Sequence, residues 1–214
     1  MKALIVLGHP APDSFNHALA ETIRDTWGKA GCDVTFHDLA AEGFDPRMTA
    51  SEAREGATTD PTVQRHIADL CAADILAIVH PNCWGGPPAI MKGWIDRVFA
   101  QNAAYGFEKG TDLGCTPIGL LKIKSALVIN TGNTPPDRET HHFHDPLDHI
   151  WRTCILGFCG VPDVTRRLFG VVATSTDADR KAWLAETASL AFATFGTAEN
   201  AQAKTPGYGQ VSGV

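Results

Sequence analysis

Long hydrophobic runs are absent from the sequence, and so is any cluster of basic residues. The longest apolar stretches have the length of one β-strand, so no membrane-spanning helix is predicted. Acidic residues outnumber basic ones by 24 to 18, and the formal net charge is −6. This balance argues against a surface that binds nucleic acid or anionic lipid. The apolar run near the N-terminus is not followed by a small-residue cleavage site, so it predicts a first strand and not a signal peptide.

Motifs built on cysteine pairs or on closely spaced glycines are also missing. The six cysteines include no Cys-x-x-Cys pair, and a chain of 214 residues can bury a core without disulfides. We therefore expect reduced, mostly buried cysteines and a cytoplasmic location. Neither the GxGxxG fingerprint nor the GxxxxGKS/T motif occurs, so a Rossmann dinucleotide site and an ATP-binding P-loop are poorly supported.

Strand-like and helix-like patterns alternate along the chain. The predicted strands are Ala3–Leu7, Val34–His37, Ile75–Val79, Ala126–Ile129 and Leu168–Ala173. The second strand alternates apolar with polar residues, which is typical of an edge position. Helical crossovers between such strands are right-handed and give an open parallel sheet. We predict a doubly wound α/β domain over residues 1–198 with strand order 2-1-3-4-5, followed by a flexible tail over residues 199–214.

Five helices are predicted between and after these strands. In the first helix, apolar residues recur every four positions, and Gly31 closes the helix. The predicted helices are Phe15–Trp27, Val63–Cys71, Pro87–Phe99, Pro146–Phe158 and Asp177–Phe195. Residues 40–59 and 101–122 show no regular pattern and are predicted to be irregular.

Ligands of such a sheet bind at the carboxyl ends of its strands, which directs attention to the loops after the first, third and fourth strands. The first loop runs from Gly8 to Asn16 and leads into a helix whose N-terminus attracts anions. It contains the capping residues Asp13, Ser14 and Asn16. These residues predict either a phosphate site with neutral donors or plain capping of the helix.

The second and third loops carry an aromatic residue and several glycines. In the second loop, His80–Pro88, Trp84 offers a wall for a flat ligand, and Gly85 lets backbone groups approach it. The alternative is a tryptophan packed in the core beside a turn. In the third loop, Asn130–Pro136, polar residues surround Gly132. This pattern predicts either a nest of backbone N–H donors for the edge of a ring or a simple turn. Because all three loops lie at one end of the sheet, a shared ligand site is favoured.

These loops, together with the helix after the second one, resemble the NAD(P)H:quinone reductase family. The resemblance is carried by His9 with Ser14-Phe15-Asn16, by Pro81-x-x-Trp84, by Lys92-Gly93-Trp94-Ile95-Asp96-Arg97-Val98-Phe99, and by Thr131-Gly132. It extends from Lys2 to about Val172, and the block Trp84–Phe99 is its most specific part. The resemblance implies a flavodoxin-like three-layer sandwich with a five-stranded parallel sheet and a bound flavin.

The resemblance also assigns residues to the cofactor. It implies that the flavin phosphates are held by His9, Ser14, Phe15 and Asn16. It places the isoalloxazine ring along Pro81, Asn82, Cys83, Trp84 and Gly85, and the pyrimidine edge of the ring at Asn130, Thr131, Gly132 and Asn133. Asp96 stands where the family has an acid near the cofactor. The first loop favours FAD, with FMN as the alternative.

Acceptor-binding and catalytic residues follow from the same resemblance. Tyr105 and Phe107 match aromatic residues that wall the acceptor pocket, usually from the partner subunit of a homodimer, and Tyr105 is also a catalytic candidate. The mammalian enzymes have a tyrosine and a histidine after the Thr-Gly segment. This chain has no tyrosine there, so His141 or His144 is expected to stabilise charge on the flavin. The spacing of the histidines matches no zinc pattern, and no metal is expected.

The activity that the resemblance implies is hydride transfer from NAD(P)H to quinone-like aromatic acceptors by a ping-pong mechanism, with the flavin carrying the chemistry. Two other functions stay open. One is a flavodoxin-type electron carrier, which would not need an aromatic acceptor pocket. The other is a flavin-binding regulatory subunit of a membrane transporter, as in one branch of the family. A transporter partner found without NAD(P)H oxidation would favour the latter.

Overall fold

The computed structural model describes residues 1–108 and 116–203. The strands are β1 (Lys2–Leu7), β2 (Asp33–Asp38), β3 (Ile75–Pro81), β4 (Tyr105–Glu108), β5 (Thr116–Gly119), β6 (Ser125–Thr131) and β7 (Val164–Phe169). The helices are α1 (Phe15–Lys29), α2 (Ala50–Glu55), α3 (Pro61–Ala72), α4 (Ala89–Val98), α5 (Pro136–His141), α6 (Pro146–His149) and α7 (Asp177–Ala203). After α6 the chain continues as a π-helical segment, Ile150–Gly157, and a 3₁₀ turn, Val172–Thr174, precedes α7.

The main sheet has five parallel strands in the order β2-β1-β3-β6-β7. This is the predicted order 2-1-3-4-5, because β4 and β5 form a separate antiparallel hairpin. β2 lies at an edge, as its alternating pattern predicted. Among the described helices, none is long and apolar enough to cross a membrane.

Two hydrophobic cores cover the two faces of the sheet and explain the three layers. Alternate residues of each central strand point to opposite faces, so Leu76 and Ile78 of β3 belong to one core, and Ala77 and Val79 to the other. On the first face the sheet packs against α3, α4 and the π-helical segment. On the second face it packs against α1 and α7. Burial on both faces makes the central strands continuous apolar runs, which is why they could be read from the sequence.

Several elements differ from the sequence prediction. β7 lies at Val164–Phe169 and not at Leu168–Ala173. The sequence prediction missed its start because Arg166 interrupts the apolar pattern, although the Arg166 side chain is buried against Asp145. The segments predicted to be irregular contain α2 and the β4–β5 hairpin, and α5 was also not predicted. Helix α7 continues to Ala203.

The remaining part of the predicted tail, residues 204–214, lies outside the described residues, as does Cys115. The other five cysteines are free thiols, as predicted, but only Cys159 is fully buried.

The segment between β2 and α3 is held to α4 by one glycine and one buried arginine. A side chain at Gly93 would place its Cβ 2.2 Å from the carbonyl oxygen of Pro46, so only glycine permits this approach. Arg97 donates to Glu52 Oε1 at 2.7 Å and to Asp60 Oδ2 at 3.1 Å. These contacts fix a polar stretch whose sequence shows no periodicity.

Helix α2 in this segment begins with a reciprocal capping box. Thr49 Oγ1 accepts from the Glu52 N–H at 3.2 Å, and Glu52 Oε2 accepts from the Thr49 N–H at 2.7 Å. We expect Thr49→Ala to lower the free energy of unfolding by about 1 kcal/mol, because one N–H of the first turn loses its acceptor. Urea unfolding measures this change. Thr59→Ala, at an exposed threonine outside the box, serves as the control, and an equal loss in both variants would contradict the capping role.

Candidate functional site

The three loops singled out in the sequence meet at the carboxyl end of the sheet. Asn16, in the first turn of α1, donates from Nδ2 to Thr131 Oγ1 at the end of β6, 3.0 Å away. The backbone N–H of Asn82, just after β3, donates to the carbonyl oxygen of Thr131 at 2.6 Å. The Gly8 N–H, after β1, donates to the Val79 carbonyl at 2.9 Å. Hydrogen bonds therefore tie the ends of all three strands into one rim.

The turn after β3 holds the Trp84 side chain out in solvent. Trp84 has a relative accessible surface of 106% and a positive φ of 57°. Cys83 and Gly86 exchange backbone hydrogen bonds of 2.9 and 3.0 Å, and Asn82 Oδ1 accepts from the Gly85 N–H at 2.9 Å. The predicted alternative of a tryptophan packed in the core is thus wrong. The indole is therefore fully accessible to a ligand or a partner.

Beside this indole lies a cleft of about 610 Å³, which is within the range of small-molecule sites. It is lined by Asn82, Trp84, Gly85, Asn133, Thr134, Pro135, Arg138, Glu139, Phe143 and Pro146. Four predicted cofactor residues, Asn82, Trp84, Gly85 and Asn133, are among them. A Cβ at Gly85 would come within 2.9 Å of the Pro146 side chain, so glycine lets the turn pack closely against this other lining residue.

Glu139 is a buried acid at this cleft, with a residue exposure of 3%. Its Oε1 accepts from Asn82 Nδ2 at 3.0 Å. Since Asn82 also holds the Gly85 N–H, Glu139 supports the turn that carries Trp84. Sequence reasoning missed Glu139 because α5 is a short helix that begins at the second of two prolines, where no periodic pattern is visible.

The third loop offers fewer free donors than the nest interpretation assumed. The Gly132 N–H donates to the Phe169 carbonyl at 2.9 Å, and the Gly132 carbonyl accepts from the Val172 N–H at 3.0 Å. Asn133 Oδ1 accepts from the Ala173 N–H at 2.8 Å. Gly132 thus shapes the turn with its donor already engaged, while Asn133 faces the cleft. Whether Asn130, Thr131 and Gly132 contact a cofactor stays a prediction.

The first loop lies beside the cleft and does not line it. Ser14 caps α1, as one of the two predictions had it, and its Oγ lies 2.8 Å from His17 Nδ1. His17 Nε2 lies 2.9 Å from Asp38 Oδ2, so the loop is anchored to the end of β2. His9 Nδ1 accepts from the Ala11 N–H at 3.1 Å. Phosphate binding by this loop remains a prediction. Sequence reasoning did not single out His17, which contributes a polar side chain beside the loop.

A buried polar network supports the rim from below. Trp151 Nε1 donates to His80 Nε2 at 2.9 Å, and Asn130 Nδ2 lies 3.0 Å from the same nitrogen. Because Nε2 accepts, the proton is on Nδ1, which lies 2.8 Å from the Pro81 carbonyl. Arg166 Nε completes the chain by donating to Asn130 Oδ1 at 2.7 Å. Burial lowers the pKa of His80 from 6.5 to about 4, so the ring is neutral near pH 7.

Asp96, Tyr105 and Phe107 are not brought to the cleft within the single chain. Asp96 pairs with Lys92 at 2.5 Å on the exposed face of α4. All three predicted residues line a different, largely apolar cavity of about 340 Å³. Tyr105 packs edge-on against Phe107 and Phe158, with ring centroids 5.8 and 5.2 Å apart. Their roles at the cofactor or the acceptor remain predictions.

The two histidines expected at the flavin edge also lie outside the cleft lining. His141 and His144 are exposed, and His144 has a positive φ of 59°. The cleft is instead faced by Arg138 and Glu139, which precede them in the chain. The assignment of a charge-stabilising role to either histidine therefore has no support from the cleft geometry.

One cluster among the described residues has a spacing that would suit a metal ion, namely His37, Glu42 and His66. Trp94 Nε1 donates to His66 Nδ1 at 3.0 Å, which leaves the ring proton on Nε2, where it faces Glu42 at 3.1 Å. Burial lowers the pKa of His66, which favours this neutral form. Since Nε2 needs a free lone pair to bind a metal, hydrogen bonding accounts for the cluster better than a metal site does.

Comparisons with known proteins agree with this architecture. A profile of the flavodoxin-like fold family matches residues 1–191. An uncharacterized NAD(P)H oxidoreductase of Haemophilus influenzae is 32% identical over 189 residues, which cover 86% of this chain and 91% of the relative. Ribosyldihydronicotinamide dehydrogenase (quinone) of Pongo abelii is 31% identical over 212 residues, covering 86% and 87%. The crystal structure of Smu.1420 from Streptococcus mutans superposes with a TM-score of 0.78 at 30% identity, covering 90% of this chain and 100% of that one.

Proposed function

We infer, from the premise that the chain belongs to the flavodoxin-like family of NAD(P)H oxidoreductases, that it is a flavin-dependent enzyme that reduces quinone-like aromatic acceptors with NAD(P)H. The observation that carries this proposal is the Trp84 indole, fully exposed beside a cleft of about 610 Å³ at the carboxyl rim of the sheet. A planar aromatic ligand can stack on an exposed indole, and the two ring faces that meet are then removed from water.

The residues at this rim fit a flavin. Asn133 and Thr134 bring polar groups to the lining of the cleft, and Trp84 brings an aromatic surface. The N-terminus of α1, capped by Ser14, lies in the neighbouring loop and suits a phosphate. We propose FAD as the cofactor and FMN as the alternative. A bound flavin would supply two-electron transfer between NAD(P)H and the acceptor, and the chain would bind, orient and shield it.

We further propose that the protein acts as a homodimer in which each acceptor site is completed by the partner subunit. The apolar cavity at Tyr105 leaves Phe107 and Phe158 exposed at 43% and 38%. Exposed aromatic residues grouped around one cavity favour a protein–protein or ligand interface. A second copy of the chain would bring such residues to the open side of the cleft. Sedimentation of the purified protein tests this part independently of activity.

The test of the proposed function is to purify the protein and record its visible spectrum, before and after adding FAD or FMN. We expect a yellow protein, release of one flavin type on denaturation, and NAD(P)H oxidation that depends on an added quinone. Plots of reciprocal rate against reciprocal NAD(P)H concentration at several quinone concentrations should be parallel. Parallel lines would support a ping-pong mechanism in which the nucleotide and the acceptor bind in turn at the same site. A protein that binds neither flavin would refute the proposal, and flavin binding without NAD(P)H oxidation would instead favour a carrier or a regulatory subunit.

A further inference from the structure

The cleft contains one positively charged side chain, that of Arg138 in α5. Among the described residues that line the cleft, only Arg138 and Glu139 carry a formal charge. Across residues 1–108 and 116–203, the guanidinium forms no ion pair or hydrogen bond, and it lies 5.8 Å from the centroid of the Phe143 ring. An arginine beside a cleft with its five N–H donors unused is available to a ligand.

The neighbouring acid does not neutralise this cation. Glu139 is buried, and its Oε1 accepts from Asn82 Nδ2 at 3.0 Å. Its backbone is fixed as well, because its N–H donates to Pro135 and its carbonyl accepts from the Asp145 N–H, each at 3.0 Å. Glu139 is therefore held toward the Asn82 turn, whereas Arg138 lies on the exposed side of α5. Glu139 is thus engaged by Asn82, and the Arg138 guanidinium is left without an acidic partner among the described residues.

Reduction of a flavin near neutral pH leaves negative charge on its pyrimidine side, and a nearby cation stabilises that charge. The resemblance assigns this role to a histidine, but His141 and His144 do not line the cleft. We propose that Arg138 is the group that stabilises the negative charge of the reduced flavin. This inference rests on the proposed function, since it requires that the cleft binds a flavin.

The proposal differs from the histidine assignment in a measurable way. A guanidinium stays protonated throughout the pH range in which proteins are stable, whereas an imidazole can gain or lose its proton within that range. If Arg138 supplies the cation, its effect on the reduced flavin should therefore be equal at about pH 7.5 and about pH 9. A histidine in this role would instead give an effect that changes with pH, because an imidazole can lose its proton.

The experiment compares Arg138→Gln and Arg138→Lys with the wild-type protein. Each protein is freed of flavin, and the Kd for oxidised FAD is measured by fluorescence quenching. The difference between the midpoint potentials of bound and free FAD then gives the ratio of the Kd values for the oxidised and reduced forms. We expect Arg138→Gln to weaken binding of reduced FAD about tenfold more than binding of oxidised FAD, because a charged hydrogen bond is lost. Arg138→Lys should recover most of the difference. Arg47→Gln, at an arginine whose side chain is 86% exposed and pairs with Asp45, controls for net charge.

The possible outcomes separate this inference from the proposed function. If the wild-type protein binds flavin and Arg138→Gln leaves the ratio unchanged, the role of Arg138 is overturned and the flavoprotein assignment stands. The role of Arg138 is likewise overturned if His141→Gln or His144→Gln changes the ratio while Arg138→Gln does not. If the wild-type protein binds no flavin, both are overturned.

Discussion

Replacing Trp84 with alanine is expected to weaken flavin binding by about tenfold to a hundredfold and to leave the fold intact. Stacking of a planar ring on an aromatic side chain contributes about 1–3 kcal/mol per ring, and the middle of this range corresponds to the expected change in Kd. The indole makes no buried contact in the free chain, with a relative exposure of 106%. We therefore expect the free energy of unfolding to change by less than about 0.5 kcal/mol.

Two further variants show whether stacking is the cause. Trp84→Phe keeps an aromatic surface on the same turn and should lose only part of the affinity. Phe192→Ala removes another exposed aromatic residue, 64% exposed on α7, and should not affect the flavin. Binding is measured by titrating the flavin-free protein, and sedimentation shows whether the oligomeric state has changed. Unaltered affinity in Trp84→Ala, or a loss that accompanies only dissociation of a dimer, would refute the stacking wall.

The position of this site was predictable because parallel sheets follow simple rules. The strands β1, β3 and β6 are buried on both faces, so their sequences are short apolar runs that end at a glycine or a polar residue. Once their order is known, the loops that follow them must share one rim. That rule places the loop with Asn82 and Trp84 at the rim, and the family resemblance assigned these two residues to the cofactor.

The details of the site were not predictable, because they depend on contacts between distant segments. Arg138 and Glu139 lie in a six-residue helix that begins at the second of two prolines and is too short to show an amphipathic period. Arg166 looks like a surface residue in the sequence, yet its side chain is only 3% exposed because Asp145 and Asn130 accept its donors. Such pairings bring together residues that are many positions apart, and no local pattern reports them.

The buried His80 gives the second large effect, a loss of stability in mild acid. In the unfolded chain the ring binds a proton with a pKa near 6.5, and in the folded protein burial lowers that pKa to about 4. Between these values the unfolded state binds more protons, so stability falls as the pH falls. His80 should lower the free energy of unfolding by about 2 kcal/mol at pH 5 and by about 3 kcal/mol at pH 4, with no effect above about pH 7.5.

The variant His80→Gln isolates this contribution, because glutamine keeps an acceptor for the Trp151 indole but does not titrate. Urea unfolding at pH 7.5 and pH 5 should show a pH-dependent loss that is about 2 kcal/mol smaller in the variant than in the wild-type protein. His149→Gln, at an exposed histidine of α6, should retain the full loss. If His80→Gln and the wild-type protein lose the same stability, the ring is not buried in its neutral form. In that case the network beneath Pro81 and Asn130 could not hold the rim as the structure shows it, because an imidazolium cannot accept from Trp151.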